Sequence, residues 1–220
     1  LMIRKILLYF LFFSFLPSLK AQVYDYDVFS QENGLPSSSI TSIIQDSRNL
    51  IWIGTEGTGL IKYDGTSFEQ FNNYNEKEGF FVTDVVEDHN HNIVFSTKYS
   101  GILVFDGEKI FKTIYLPKEN RNLIKLFVSK KHIYCFLDNE ILVIDSNYKV
   151  QQTISNQNKF DEVNSIFQDV QGILFLGTNS GLFALSPDFK LKQIRNDILK
   201  EYVTIAKAKE NQAIIGTSEG

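Results

Sequence analysis

ITSIIQDSRNLIWIGTEGTGLIKYDGTSFEQF, residues Ile40 to Phe71, decides the fold, because the rest of the chain restates it three times and begins a fifth copy. Its landmarks are an apolar run ending in Gln45-Asp46, a polar turn, a second run ending in Gly54-Thr55, a glycine turn into Leu60-Ile61, and Tyr63-Asp64-Gly65. Aligning the copies on the threonine puts Thr55, Thr97, Leu137, Thr178 and Thr217 in one column, about forty residues apart. Three residues earlier stand Trp52, Val94, Tyr134, Phe175 and Ile214, all large or branched and apolar. Six residues earlier is a turn column, Asn49, His91, Lys131, Gly172 and Asn211; nine earlier are Asp46, Asp88, Val128, Asp169 and Ala208. The third and fifth copies are the degenerate ones.

A period near forty residues indicates propeller blades or solenoid units. Within each copy the apolar runs are short, rich in Ile, Val, Phe and Tyr, and separated by Gly, Asn, Asp and Ser, which makes them strands joined by hairpins. Four strands per copy are expected, in the first copy roughly Ile40 to Gln45, Leu50 to Thr55, Gly59 to Tyr63 and Ser67 to Phe71. The middle strands, LIWIGT, GILVFD, EILVID and GLFALS, are apolar on both faces, as strands are when their sheet is sandwiched between neighbours. Gly59, Gly101 and Gly181 sit where a positive φ is easy for glycine, and the third copy offers Asp138-Asn139 in the same turn. Asp197 to Lys209 could be misread as a helix from its Ala and Lys content, but the repeat makes it strand.

The expected architecture is all-β: β-propeller blades of four antiparallel strands, about four blades plus the start of a fifth. The repeats run roughly over 40–71, 82–114, 123–154, 163–194 and 202–220, the last stopping at Gly220 before its third strand. A propeller closes by letting one blade draw strands from both ends of the chain. Val23 to Phe29 alternates like an outermost strand whose inner three lie elsewhere, so the ring is expected to be incomplete within residues 22–220.

The 220 residues have ample apolar content for a core and a formal net charge of -4, with no basic stripe. Nothing here suggests a nucleic-acid or anionic-membrane surface. Arg4-Lys5, the apolar stretch Ile6 to Leu16, Pro17 and Leu19-Lys20-Ala21-Gln22 have the layout of a secretory signal peptide over residues 1–21, with cleavage expected between Ala21 and Gln22. That apolar stretch is about half the length needed to span a bilayer. Export would permit disulfides, but Cys135 is the sole cysteine and reads as a small buried hydrophobe.

Few residues suggest chemistry. Asp88-His89-Asn90-His91-Asn92 resembles a metal cluster, but His91 occupies a turn column and His132 is the one other histidine, so a solvated turn is favoured. Asp46, Asp88 and Asp169 could act as paired acids; their recurrence at one repeat position favours turn caps on following amides. Trp52 shares a column with Val94 and Phe175 and reads as blade core rather than a sugar platform. No phosphate-cradling loop, nucleophile arrangement or Cys/His metal spacing occurs. No catalytic, cofactor-binding or metal residue is therefore assigned, no enzyme is expected in these residues, and the ligand-binding residues stay unassigned.

With these residues in hand, GLPSSSITSIIQDSRNLIWIGTEGTGLIKYDG resembles the two-component regulator propeller repeat. The resemblance rests on Gly34-Leu35-Pro36, Gln45-Asp46, Ile51 to Thr55, Gly59-Leu60 and Tyr63-Asp64-Gly65. It is clear again from Gln168-Asp169 to Gly181-Leu182, partial from Glu87-Asp88 to Asp106-Gly107, and weak from Leu126 to Asp145. It implies the N-terminal periplasmic sensor region of a Bacteroidota-type hybrid or LytS-like histidine kinase, anchored in the inner membrane through downstream sequence. It also implies an oligosaccharide or similar envelope ligand, no cofactor, no nucleic acid in this region, and a homodimer of the full-length sensor. The alternatives are a non-catalytic envelope scaffold or a polysaccharide-active enzyme with a propeller body, since fold alone does not settle function.

Overall fold

A computed structural model describes residues 27–71, 80–114, 116, 125–157, 159–160, 162–194, 203–209 and 212–217. The leader with its Ala21/Gln22 cleavage point and the first part of the Val23 to Phe29 strand lie outside these residues. Described secondary structure consists of strands and one short 3-10 turn at Gln31–Asn33. The first copy forms β1 (Ile40–Gln45), β2 (Ile51–Gly57), β3 (Gly59–Tyr63) and β4 (Phe68–Phe71). The second forms β5 (Phe80–Glu87), β6 (Ile93–Thr97), β7 (Gly101–Phe105) and β8 (Ile110–Ile114). The third gives β9 (Lys125–Val128), β10 (Ile133–Phe136), β11 (Glu140–Ile144) and β12 (Val150–Ser155). The fourth gives β13 (Val163–Gln168), β14 (Leu174–Thr178), β15 (Gly181–Leu185) and β16 (Leu191–Ile194); β17 (Val203–Lys209) and β18 (Gln212–Thr217) form a final hairpin.

Strands pair antiparallel with their sequence neighbours, so the third and fourth copies are separate four-stranded sheets. The first and second copies join into one eight-stranded sheet. The junction arises because β2 runs past Thr55 and pairs Glu56 with Phe81 and Gly57 with Phe80. Described backbone at Asp27 to Phe29 joins no strand, and Phe29 instead sets its ring edge-on against Tyr63 and Phe68, at centroid distances of 5.2 and 5.5 Å.

The doubly apolar middle strands have a direct cause in the packing. In the second copy, Ile93, Phe95, Leu103 and Phe105 cluster with Trp52 and Leu60 of the first. The residues alternating with them, Val94, Ile102 and Val104, cluster with Ile133, Cys135, Leu142 and Ile144 of the third. From the third copy, Tyr134, Phe136, Ile141 and Val143 then pack on Leu174, Leu176, Phe183 and Leu185 of the fourth. Side chains of a strand point to opposite faces in turn, so one strand serves two cores and no polar face remains. Full burial of each such side chain stabilises by about 1.5–3 kcal/mol. Outer strands such as β12 are mostly exposed, as their mixed sequence requires.

Polar links bind one copy to the next. Asp84 is buried on β5 and serves three copies at once. Its Oδ1 accepts from Ser42 Oγ of the first copy at 2.7 Å, and its Oδ2 accepts from the Leu126 amide of the third at 2.9 Å. Thr41 Oγ1 donates to the Val82 carbonyl at 2.8 Å, and Asn164 Nδ2 to the Val203 carbonyl at 3.5 Å. Gly54 permits this proximity, because a Cβ there would stand 2.8 Å from Val82 Cγ1.

Candidate functional site

Antiparallel order places the turn after the first strand and the turn after the third strand of each copy at one end of the molecule. The recurrent aspartates stand there and act as caps. Asp46 Oδ1 accepts the amides of Arg48 and Leu50 at 2.9 and 2.8 Å, and Oδ2 accepts Trp52 Nε1 at 2.9 Å. Burial raises the Asp46 carboxyl pKa, but the Trp52, Leu50 and Arg48 donors outweigh it and hold the group below its ordinary value. Asp88 Oδ1 accepts the amides of Asn90 and Asn92 at 2.8 and 2.9 Å, and its Oδ2 accepts the Tyr148 hydroxyl of the third copy. Asp169 Oδ1 accepts from Gln171 and Ile173 at 2.9 and 2.8 Å. In all three turns the residue three after the Asp has a positive φ: Asn49 at 66°, His91 at 62° and Gly172 at 87°.

The third copy corrects the alignment. Its turn closes from the Ser129 amide to the His132 carbonyl, one residue shorter than the Asp46-to-Leu50 closure. The capping residue is therefore Ser129, whose Oγ accepts the His132 amide at 3.1 Å, and Val128 is strand. Lys131 has no positive φ, because the shorter loop needs none. Asp138 and Asn139 also turn without one; Asn156 Nδ2 instead holds the Asp138 carbonyl at 2.7 Å.

The remaining candidates resolve by position. His91 Nδ1 lies 3.0 Å from Glu87 Oε1 and 2.8 Å from Ser47 Oγ on an exposed turn. His89 bonds the Ser129 carbonyl, and His132 stands edge-on to Tyr134 and Phe189. Among the described residues, no group of three or more His, Cys, Asp or Glu could hold a metal. Trp52 is buried between Phe71 and Phe105, at centroid distances of 5.8 and 5.7 Å, and presents no stacking face. Cys135 is wholly buried, which pushes its thiol pKa strongly upward and keeps it a neutral core group.

The same end of the molecule opens between the third and fourth copies. A cleft of about 600 Å³ is lined by Lys130, Lys131, His132, Tyr134, Gln171 and Pro187, among others. A smaller cavity of about 160 Å³ lies on the other flank of the Lys130 to His132 turn, beside Asp88, Asp145 and Tyr148. Sequence reasoning named Lys131 as a turn position alone. A pair of adjacent lysines in this column, present in no other described copy, was the signal that could have marked the cleft.

Residues 34–57 match the two component regulator propeller family. No curated protein matches the chain. Among solved structures, one described as the extracellular domain of a hybrid two component system of B. thetaiotaomicron shares 24% identity, with TM-score 0.66, over 83% of this chain and 26% of that one. Another from B. thetaiotaomicron, described as the extracellular domain of a one component system, shares 22% identity with TM-score 0.61 over 78% of this chain and 24% of that one. A virginiamycin B lyase from Staphylococcus aureus shares 13% identity with TM-score 0.64 over 86% of this chain and 64% of that one. The chain thus spans about a quarter of the two sensor domains and under two thirds of the lyase. These likenesses establish a propeller-like all-β fold of the kind found in extracellular sensor domains.

Proposed function

We propose that this chain is the ligand-sensing part of an extracytoplasmic β-propeller in a two-component signalling protein, with an oligosaccharide or similar envelope molecule as its ligand. The observation that carries the reading is the two component regulator propeller match at residues 34–57, which follows a leader-like N-terminus in the sequence. In this reading the sheets described here contribute to a propeller exported to the periplasm. A ligand signals by binding one arrangement of such a receptor better than another, so the receptor needs a cleft between rigid sheets and no reacting groups. The recurrent acids are consumed as turn caps, and the proposal includes no catalysis by these residues; lyase likeness at 13% identity is one of fold.

Calorimetry against a panel of neutral and acidic oligosaccharides, with product analysis of each mixture, tests the reading. Saturable binding with the sugar recovered intact is expected. Bond cleavage in any mixture would replace the sensor reading with an enzyme. Failure of every sugar to bind, with co-purification of envelope proteins, would replace it with a scaffold.

A further inference from the structure

We propose that the cleft between the third and fourth copies binds the anionic group, carboxylate or sulfate, of a small acidic ligand, with Lys130, Lys131 and His132 as its donors. The inference deepens the sensing reading and rests on it only for the ligand being a saccharide. Shortening of the Ser129 to His132 turn, between full-length turns at Asp88 and Asp169, leaves space on both its flanks. The larger space, about 600 Å³, falls in the range of small-ligand pockets, roughly 300–1,000 Å³.

The charge of the two spaces differs. Asp88 and Asp145 line the smaller one, against the same lysines. Among the described residues the one acid lining the larger is Asp169, whose Oδ1 already accepts two backbone amides. Lys130 and Lys131 are exposed, and among the described residues neither ammonium enters an ion pair. Arg48, in the equivalent turn of the first copy, is instead spent on Asp46 at 3.5 Å. Ammonium groups beside a carboxylate or sulfate form charge-assisted hydrogen bonds, roughly twice as strong as neutral ones. Tyr134 and Pro187, with Val170 85% exposed at the rim, supply apolar surface for the body of the ligand.

The test is an NMR titration of the chain with three probes: trigalacturonate, a sulfated disaccharide and neutral maltotriose. The acidic probes should move the amides of Lys130 to His132 and of Gln171-Gly172, and maltotriose should not. Their affinity should fall roughly tenfold, about 1.4 kcal/mol, in Lys130→Gln/Lys131→Gln, and fall again with added salt. Both lysines are exposed, so the thermal midpoint should not change; Lys130→Arg/Lys131→Arg should retain binding. Which acidic probe binds more tightly distinguishes carboxylate from sulfate. Equal shifts from maltotriose at these amides would overturn anion recognition and leave ligand sensing standing. No shift at these amides from either acidic probe would overturn the site, and shifts elsewhere on the chain would again leave the sensing reading intact.

Discussion

The first and third copies are built on the same plan of four antiparallel strands, yet they share almost none of the polar landmarks. The first has Asp46, Trp52, Gly54, Thr55 and Gly59; the third has Ser129, Tyr134, Phe136, Leu137 and Glu140 at the structurally matching positions. Thr55 Oγ1 donates to the Gly59 carbonyl at 2.7 Å, while Leu137 has no hydroxyl and its backbone amide reaches the Glu140 carbonyl at 2.8 Å. Both sheets still bury their middle strands on both faces. The repeat's polar residues therefore close turns, and the doubly buried strands hold the stack. A copy can lose the former by shortening or re-bracing its turns, as with Ser129 and Asn156, provided that it keeps the latter.

The largest effect is expected where a glycine of a landmark-bearing copy meets its third-copy counterpart. Gly101 has φ 92°, and a Cβ there would lie 2.3 Å from the Ile114 carbonyl oxygen. Gly101→Ala should cost about 4 kcal/mol from strain and overpacking together, whereas Glu140→Ala should stay within about 0.5 kcal/mol; urea unfolding compares them.

Asp84→Ala comes next, at about 3 kcal/mol, since it strands the Leu126 amide and Ser42 hydroxyl together. Its distinguishing sign would be faster hydrogen exchange at Leu126 than at Ile44 of the first copy, because Leu126 loses the acceptor of its own amide.

Capping gives a smaller contrast. Asp46→Ala removes two amide caps and the Trp52 partner and should cost about 2 kcal/mol; Ser129→Ala should cost about 1 kcal/mol. An equal cost would mean that the two turns are braced alike.

The mildest effect is the pH dependence. Asp46 and Glu87 both have lowered pKa values, in each case because hydrogen-bond donors outweigh burial, which alone would raise them. A carboxyl depressed in the folded state contributes stability that is present above its unfolded value, about 3.9 for Asp and 4.3 for Glu, and lost as pH falls through the lower folded value. Stability should therefore decline below about pH 4, and Asp46→Asn should flatten part of that decline. Ser129 carries no such charge, so Ser129→Ala should leave its shape unaltered.

Much of this organisation was legible in the residues. The forty-residue period, the four strands and the double burial follow from where apolar runs and turn formers fall, and Asp46, Asp88 and Asp169 declared themselves caps by recurring. Asp84 did not, because its column holds Ser42, Lys125, Ser165 and Thr204 in the other copies, and its partners lie about forty residues away on either side. Ser129 was hidden by a single-residue deletion that a fixed spacing cannot register. The cleft was invisible for a related reason: it is the space left beside that shortened turn, and depends on a neighbouring copy that the turn's own sequence does not mention.

The most direct measurement uses two residues that occur once each in the chain, Trp52 and Cys135. Trp52 is buried where the first copy meets the second, and Cys135 where the second meets the third. Trp52 fluorescence and Cys135 thiol labelling should be followed through the same urea titration. If double burial holds the stack regardless of polar landmarks, native Cys135 will be inert and the two transitions will coincide. Prompt labelling of Cys135 while Trp52 remains native would show that the third copy is not packed as the first is, and would contradict the account.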